Sequence, residues 1–307
     1  MDNQTSVSEF LLLEFSDVRE LQILHFFLFL GIFLATVTGN LLIILAVAFD
    51  RRLHTPMYFF LVNLAMQDLG SVSVIIPKSM VNSLMNTRHI SYFGCVFQVL
   101  LFFLFVGCDV YLLTVMAYDR YIAICDPLQY EMVMNRRACT QMVAGVWVGG
   151  LLNAVLNTGG TFSMPFCSNV VNQFFCEIPK LLKLVCSDLY LPVIEIGIVM
   201  FSTTIAIVCF IFIIITYVHI FSAVLKIPSA EGRRKAYSTC LPHLIVLSTF
   251  FLTAGFAYLR PTSNTAPQLD LVFTILYSMV PPMLNPVIYS IRNKDLKVAL
   301  AKLLGLR

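Results

Sequence analysis

The stretch FQVLLFFLFVGCDVYLLTVM, Phe97–Met116, holds a single charged residue, Asp109, in an otherwise apolar run. It passes directly into AYDRYIAIC, Ala117–Cys125, where Asp119 and Arg120 stand side by side. About 20 consecutive apolar residues cross the hydrocarbon core of a bilayer as an α-helix. Polarity does not alternate here as it would in a barrel strand, so the stretch reads as a spanning helix. An aspartate near the centre of such a helix costs roughly 2.5–3.5 kcal/mol on insertion scales and demands a partner or a wet cavity. An acid–base pair where the apolar run ends adds a breakable contact at the membrane boundary. This is a span with a working interior, not a passive anchor.

The pattern recurs along the chain. Of 307 residues, 59% are hydrophobic and 12% charged, with mean hydropathy +0.85; a soluble domain carries about 25% charged residues. Seven apolar blocks run approximately Leu24–Ala48, Met57–Ile76, Tyr92–Ala117, Gln141–Leu156, Leu191–Phe221, Thr239–Leu259 and Leu271–Ile291. The fourth is short and interrupted by Gly145, Gly149 and Gly150, although glycine is common in membrane helices. The expected fold is an all-α membrane protein, a seven-transmembrane helix bundle. It divides into an N-terminal segment over 1–23, the helical domain over 24–291 and a C-terminal tail over 292–307.

Charge sets the expected orientation. With the N-terminus outside, fourteen of the 20 lysines and arginines face the cytosol, and only Arg19, Lys78, Arg88, Lys180, Lys183 and Arg260 face out. The positive-inside rule selects this arrangement. NQT at Asn3–Thr5 is a glycosylation acceptor on the same outer side. The polar start is no signal peptide, so the first helix is expected to act as a signal anchor. Cys95, Cys167, Cys176 and Cys186 fall at or beyond outer helix ends, where disulfides form, and four cysteines allow three connectivities. The net charge of +3 gives no reason to expect a nucleic-acid partner. Neither CxxC nor HExxH occurs, and His25, His54, His89, His219 and His243 are scattered. Catalysis is not expected.

Ionisable groups inside the spans carry the functional reading. Asp68 and Asp109 sit at comparable depth with no basic partner in any helix core. They fit a shared proton or a bound cation, or two separate carboxyls hydrogen-bonded to Asn40, Asn63, Gln67 or Asn285. Glu195 lies near an outer end and is expected to be solvated. Arg120 can snorkel to lipid headgroups or be held by Asp119 between Tyr118 and Tyr121, and released when neighbouring helices move. PPMLNPVIY, Pro281–Tyr289, puts three prolines into an apolar helix, freeing carbonyls that Asn285 can bond. A breakable pair on one helix and a proline hinge on another are the parts of a two-state element, as a receptor needs.

The chain at this point resembles a known family. Gly39–Asn40, an aspartate in the second helix, Asp119–Tyr121 and Asn285–Tyr289 look like a rhodopsin-like G-protein-coupled receptor. PMYFFLVNLAMQDL (Pro56–Leu69), MAYDRYIAIC (Met116–Cys125), KAYSTC (Lys235–Cys240) and PMLNPVIYSIRNKDLKVAL (Pro282–Leu300) resemble the vertebrate odorant receptors, over about Glu9 to Leu303. The resemblance implies disulfides Cys95–Cys176 and Cys167–Cys186, and a small volatile odorant bound among Phe102, Phe103, Val106, Phe201, Ser202, Ile205, Phe251, Gly255, Tyr258 and Ser278. It implies contact of Arg120, the inner loops and Lys235 with a heterotrimeric G protein of the olfactory stimulatory type. Tyr217 and Tyr289 would rearrange on activation, around Asn285 and Pro286. Asp68 and Asp109 match an acidic pair proposed to hold sodium; no other cofactor is implied. Asn293–Leu303 would be a short amphipathic eighth helix lying on the lipid of the inner leaflet. The implied location is the plasma membrane.

Three departures from the family pattern stand out: FFL at Phe250–Leu252, CLPHL at Cys240–Leu244 and Ala65 close to Asp68. The rival class, a transporter or channel, has buried acids and broken helices too, but typically shows an internal repeat, and the two halves here are dissimilar.

Overall fold

The computed structural model describes residues 7–13, 18–186, 190–259 and 267–305, without the side chains at 190–192, 194–195, 235, 254–259, 267–271 and 291–292. Among the described residues, seven helices are long and apolar enough to cross a membrane: α1 (Arg19–Phe49), α2 (Pro56–Met85), α3 (Tyr92–Cys125), α4 (Arg136–Phe162), α5 (Tyr190–Lys226), α6 (Ala230–Leu259) and α7 (Pro267–Arg292). The eighth helix, α8, spans Lys294–Leu303. Each of the seven is longer than its apolar block at one end or both, because hydropathy marks only the part in hydrocarbon and capping lets the helix run on. Asn135 caps α4 with its Oδ1, which accepts the Ala138 N–H at 3.0 Å. Arg19 donates to the carbonyls of Ser83 (3.0 Å) and Leu84 (2.7 Å), satisfying the C-terminal end of α2.

The chain forms two compact units. The first comprises Met1–Leu34, Gly70–Gly107 and Gly149–Ile205. The helical fold class holds, and the structure adds one small feature to it: β1 (Glu9–Leu12), β2 (His89–Ser91) and β3 (Val170–Val171) form a three-stranded sheet with β1 in the middle. β1 is antiparallel to β2, with Phe10 opposite Ile90, and parallel to β3, with Leu12 opposite Val171. Alternation along β1 turns Phe10 and Leu12 inward to a core of Ile90, Cys95, Val99, Val171 and Cys176. Strands this short fall below the length at which period-two patterning stands out.

Both disulfides are formed, Cys95–Cys176 and Cys167–Cys186. The second staples a short antiparallel pairing, in which Cys167 N–H reaches Leu184 O at 2.8 Å and Cys186 N–H reaches Pro165 O at 3.0 Å. Gln98 holds the buried Cys176 backbone: its Oε1 accepts the Cys176 N–H at 2.8 Å and its Nε2 donates to Val74 O at 3.1 Å. Gln98→Leu would orphan that N–H, at a cost of about 1–3 kcal/mol. A lowered thermal midpoint of the purified chain is the expected result.

The second unit comprises Ala35–Leu69, Cys108–Val148 and Ala206–Arg307. Pro286 has no N–H to give the carbonyl four residues back, that of Pro282. Asn40 takes it, with Nδ2 at 3.1 Å, and also donates to Thr36 O at 3.0 Å. Of the two partners expected for Asn285, the freed carbonyls and a buried carboxyl, it takes the carboxyl of Asp68. Gly39 is required beside Asn40, since a Cβ there would lie 3.0 Å from Pro286 Cβ. At the start of α8, Asn293 Oδ1 accepts the N–H groups of Asp295 and Leu296, both at 3.1 Å, and the Tyr58 hydroxyl at 2.9 Å.

Candidate functional site

In the second unit, Asp68 is 1% exposed and accepts Asn285 Nδ2 on both oxygens, at 3.0 and 3.2 Å. Asp109 is buried too, and its Oδ1 has no hydrogen-bond partner. Asn40 Oδ1 and both polar atoms of Gln67 are likewise buried without partners. Buried carboxylates and unpartnered neutral oxygens are the kinds of donor a hard monovalent cation takes. Among the described residues, no cluster of three or more His, Cys, Asp or Glu side chains exists.

The end of α3 holds the acid–base pair. Arg120 Nη1 lies 3.6 Å from Asp119 Oδ2, and the two side chains are 7% and 1% exposed. Asp119 Oδ1 accepts the Tyr130 hydroxyl at 2.8 Å. Burial, then the neighbouring carboxylate, pushes the Tyr130 hydroxyl well above the ordinary tyrosine range, so it stays a donor. Tyr130, in the single helical turn Tyr130–Val133, is the clamp that sequence reasoning missed. Tyr121 meets the His219 ring edge-on at 6.1 Å. Two residues before His219 on α5, Tyr217 Oη lies 2.6 Å from His243 Nδ1, and both side chains are buried. Tyr289 is buried with a hydroxyl that has no partner. Lys235 and Glu195 have side chains outside the described set, and Asn3 lies outside the described residues.

The odorant candidates divide between the units. In the first, Phe102 is buried and packs on Phe175 at 5.2 Å and Phe103 at 6.3 Å; Phe175 meets Phe174 at 5.0 Å. Phe103 also packs against the core of the sheet, and Val106 and Ile205 are half-buried. Phe201 is 59% exposed. The Ser202 hydroxyl faces α4: it lies 2.7 Å from Asn153 Oδ1 and accepts Asn157 Nδ2 at 2.9 Å. Asn153 and Asn157, four residues apart on one face of α4, carried a signal that sequence reasoning passed over. In the second unit, Phe251 packs on Phe210 at 4.5 Å, and Ser278 is buried and donates to Thr274 O at 2.6 Å. The side chains of Gly255 and Tyr258 are outside the described set.

Close packing on α3 gives a direct test. A Cβ on Gly70 would come within 2.3 Å of the Phe105 ring. Gly70→Ala should cost about 1–3 kcal/mol as overpacking, and Phe105→Leu in the same chain should recover most of it, read as thermal midpoints of the purified protein.

Seven helices long and apolar enough to cross a membrane, with a buried acid–base pair at the end of the third, agree with the arrangement expected from the resemblance to G-protein-coupled receptors. Comparison with known sequences narrows this. The olfactory receptor family model matches residues 29–306. Human "Olfactory receptor 14J1" is 50% identical over 306 residues, covering 99% of this chain and 95% of that protein. Human "Olfactory receptor 14A16" is also 50% identical over 306 residues, covering 99% and 98%. "Olfactory receptor 1G1" of Gorilla gorilla gorilla is 46% identical over 306 residues, covering 99% and 97%. The chain belongs to the olfactory receptor family.

Proposed function

We propose that the protein is an odorant receptor of the plasma membrane that binds small volatile molecules and activates a stimulatory, olfactory-type G protein to raise cyclic AMP. The observation that carries the reading is the buried Asp119–Arg120–Tyr130 constellation, in a chain about half identical to olfactory receptors along its length. Its N-terminus is outside: among the described residues, all thirteen basic residues counted to the cytosol belong to the second unit, and all five counted outside belong to the first. On α3, Phe103 and Val106 present half-buried apolar surface suited to a volatile ligand. A transporter remains the weaker reading. No enzymatic activity is proposed.

The test is cyclic AMP in cells co-expressing the chain and the olfactory G protein, across a broad odorant panel, with mock-transfected cells alongside. A dose-dependent rise only with the chain supports the reading; ion flux without a G protein would favour the transporter. We assign sodium to Asp68 and Asp109, with Asn285 holding the first carboxylate. Asp109→Asn should flatten the response to external sodium, and unchanged sodium sensitivity would argue for a plain hydrogen-bonded acid.

A further inference from the structure

A cavity of about 20 Å³ lies in the first unit, where α1 begins and α2 ends. A water needs roughly 10–15 Å³ of such space, so the cavity takes one small guest. Its lining is largely polar: Gln22 of α1, Ser79, Asn82 and Ser83 of α2, and Asn86 and Thr87 in the turn that follows. Left-handed backbone at Asn86 (φ 51°) turns the chain back on α2, and the Thr87 N–H reaches Asn82 O at 3.1 Å. Asparagine enters that region more readily than most residues.

The acceptors here are spent and the donors are not. Asn86 Oδ1 accepts Gln22 Nε2 at 2.7 Å, and Asn82 Oδ1 accepts the Thr87 hydroxyl at 3.4 Å. That leaves each asparagine its Nδ2. Among the described residues, no acceptor meets Asn82 Nδ2, Asn86 Nδ2 or the hydroxyl of Ser83, a residue only 8% exposed. Arg19 adds charge. Its guanidinium bonds Gln22 Oε1 at 3.1 Å and the carbonyls of Ser83 and Leu84 at 3.0 and 2.7 Å. The cation thus lies against two lining residues and covers the carbonyl end of α2, whose dipole would otherwise repel an anion. No carboxylate is among the described residues that line the cavity.

A metal cation would meet Arg19 and find no carboxylate. A water would leave donors in excess and the charge unmatched. An anion answers both, since a buried charge is held by hydrogen bonds and an opposite charge. We propose that the cavity binds chloride, on Asn82 Nδ2, Asn86 Nδ2 and the Ser83 hydroxyl beside the Arg19 guanidinium. The ion fastens together the segments around it. Leu13 also lines the cavity, and its N–H bonds Gln173 O at 2.9 Å; Phe174 lines it too, and its carbonyl accepts the Ser79 hydroxyl at 3.5 Å. Chloride therefore ties the N-terminal segment and the chain after α4 to the ends of α1 and α2. Binding is read without odorant or G protein, so a silent receptor leaves this proposal standing.

Thermal midpoints of the purified full chain in mild detergent are measured with rising sodium chloride, sodium gluconate making up the balance. Sodium and ionic strength then stay fixed, and Asp68 and Asp109 see no change. A saturable rise of a few degrees with chloride is expected, with bromide able to replace it. Ser83→Ala and Asn82→Ala each remove one donor and keep the Arg19 contacts, and each should raise the half-saturating chloride several-fold. Midpoints that do not depend on chloride would overturn the proposal and leave a water in the cavity. A chloride-dependent rise unchanged in both variants would overturn it too, by placing the ion elsewhere on the chain.

Discussion

Cys176→Ser is expected to remove most of the protein from the cell surface while total synthesis is unchanged. Cys95 and Cys176 are 81 residues apart in sequence, and Cys167 and Cys186 are 19 apart. In the chain-entropy treatment these closures are worth roughly 4.5 and 3.2 kcal/mol. Helices already inserted in a bilayer restrict the unfolded chain, which lowers both figures without changing their order. Cys176 adds a second loss, because it is 0% exposed against Phe10, Leu12 and Val171. A serine hydroxyl there would be buried among apolar side chains, at a cost of about 1–3 kcal/mol. Domain stabilities are only about 5–15 kcal/mol in total. Cys167→Ser, whose bridge closes the shorter loop, should leave an intermediate surface level. Surface labelling against whole-cell protein measures both. Wild-type display of Cys176→Ser with loss of Cys167→Ser would reverse the ranking.

The seven spans were legible because a bilayer imposes a minimum length of apolar residues, which a single sequence displays directly. Their ends were not. α4 reads as Gln141–Leu156 by hydropathy yet runs Arg136–Phe162, because Arg136, Arg137 and Thr140 form helix outside the hydrocarbon. The sheet was invisible for another reason: β1 is specified by partners 80 and more residues away, Ile90 and Val171. The disulfide pairing likewise came from family resemblance, since spacing alone left three connectivities open.

In the candidate site the charges were legible and their partners only in part: Asn285 was one of four amides offered to the buried acids, and Asp119 was offered to Arg120. Asp68, Asp109, Asp119 and Arg120 stand out in apolar surroundings because each is costly there. Tyr130, His243 and Gln98 are unremarkable in sequence, and they meet Asp119, Tyr217 and Cys176 across separations of 11, 26 and 78 residues. The exchange between two asparagines shows the limit most clearly. Asn285 was adjacent to the proline-freed carbonyls, but Asn40 bonds Pro282 and Asn285 bonds Asp68. Which amide reaches which acceptor depends on helix rotation, and rotation is not written in any one segment.

Arg120→Ala is expected to leave a folded, surface-displayed protein whose odorant-evoked cyclic AMP falls roughly 5- to 150-fold in potency, the size of a coupling free energy of about 1–3 kcal/mol. Removing the guanidinium does not strip Asp119 of every partner, because Tyr130 still donates at 2.8 Å. The buried carboxyl can also take up a proton rather than remain an isolated charge. The fold therefore tolerates the loss, while the group proposed to meet the G protein is gone. Tyr130→Phe separates the two roles. It deletes the neutral clamp and keeps Arg120, so Asp119 relies on the 3.6 Å ion pair alone. That pair has poor hydrogen-bond length, and without the clamp Asp119 holds Arg120 less firmly in place. Basal cyclic AMP should rise with Tyr130→Phe and fall with Arg120→Ala, both read at matched surface expression. Normal signalling by Arg120→Ala under that condition would sink the coupling role. A basal level unmoved by Tyr130→Phe would reduce the tyrosine to packing and leave the arginine standing.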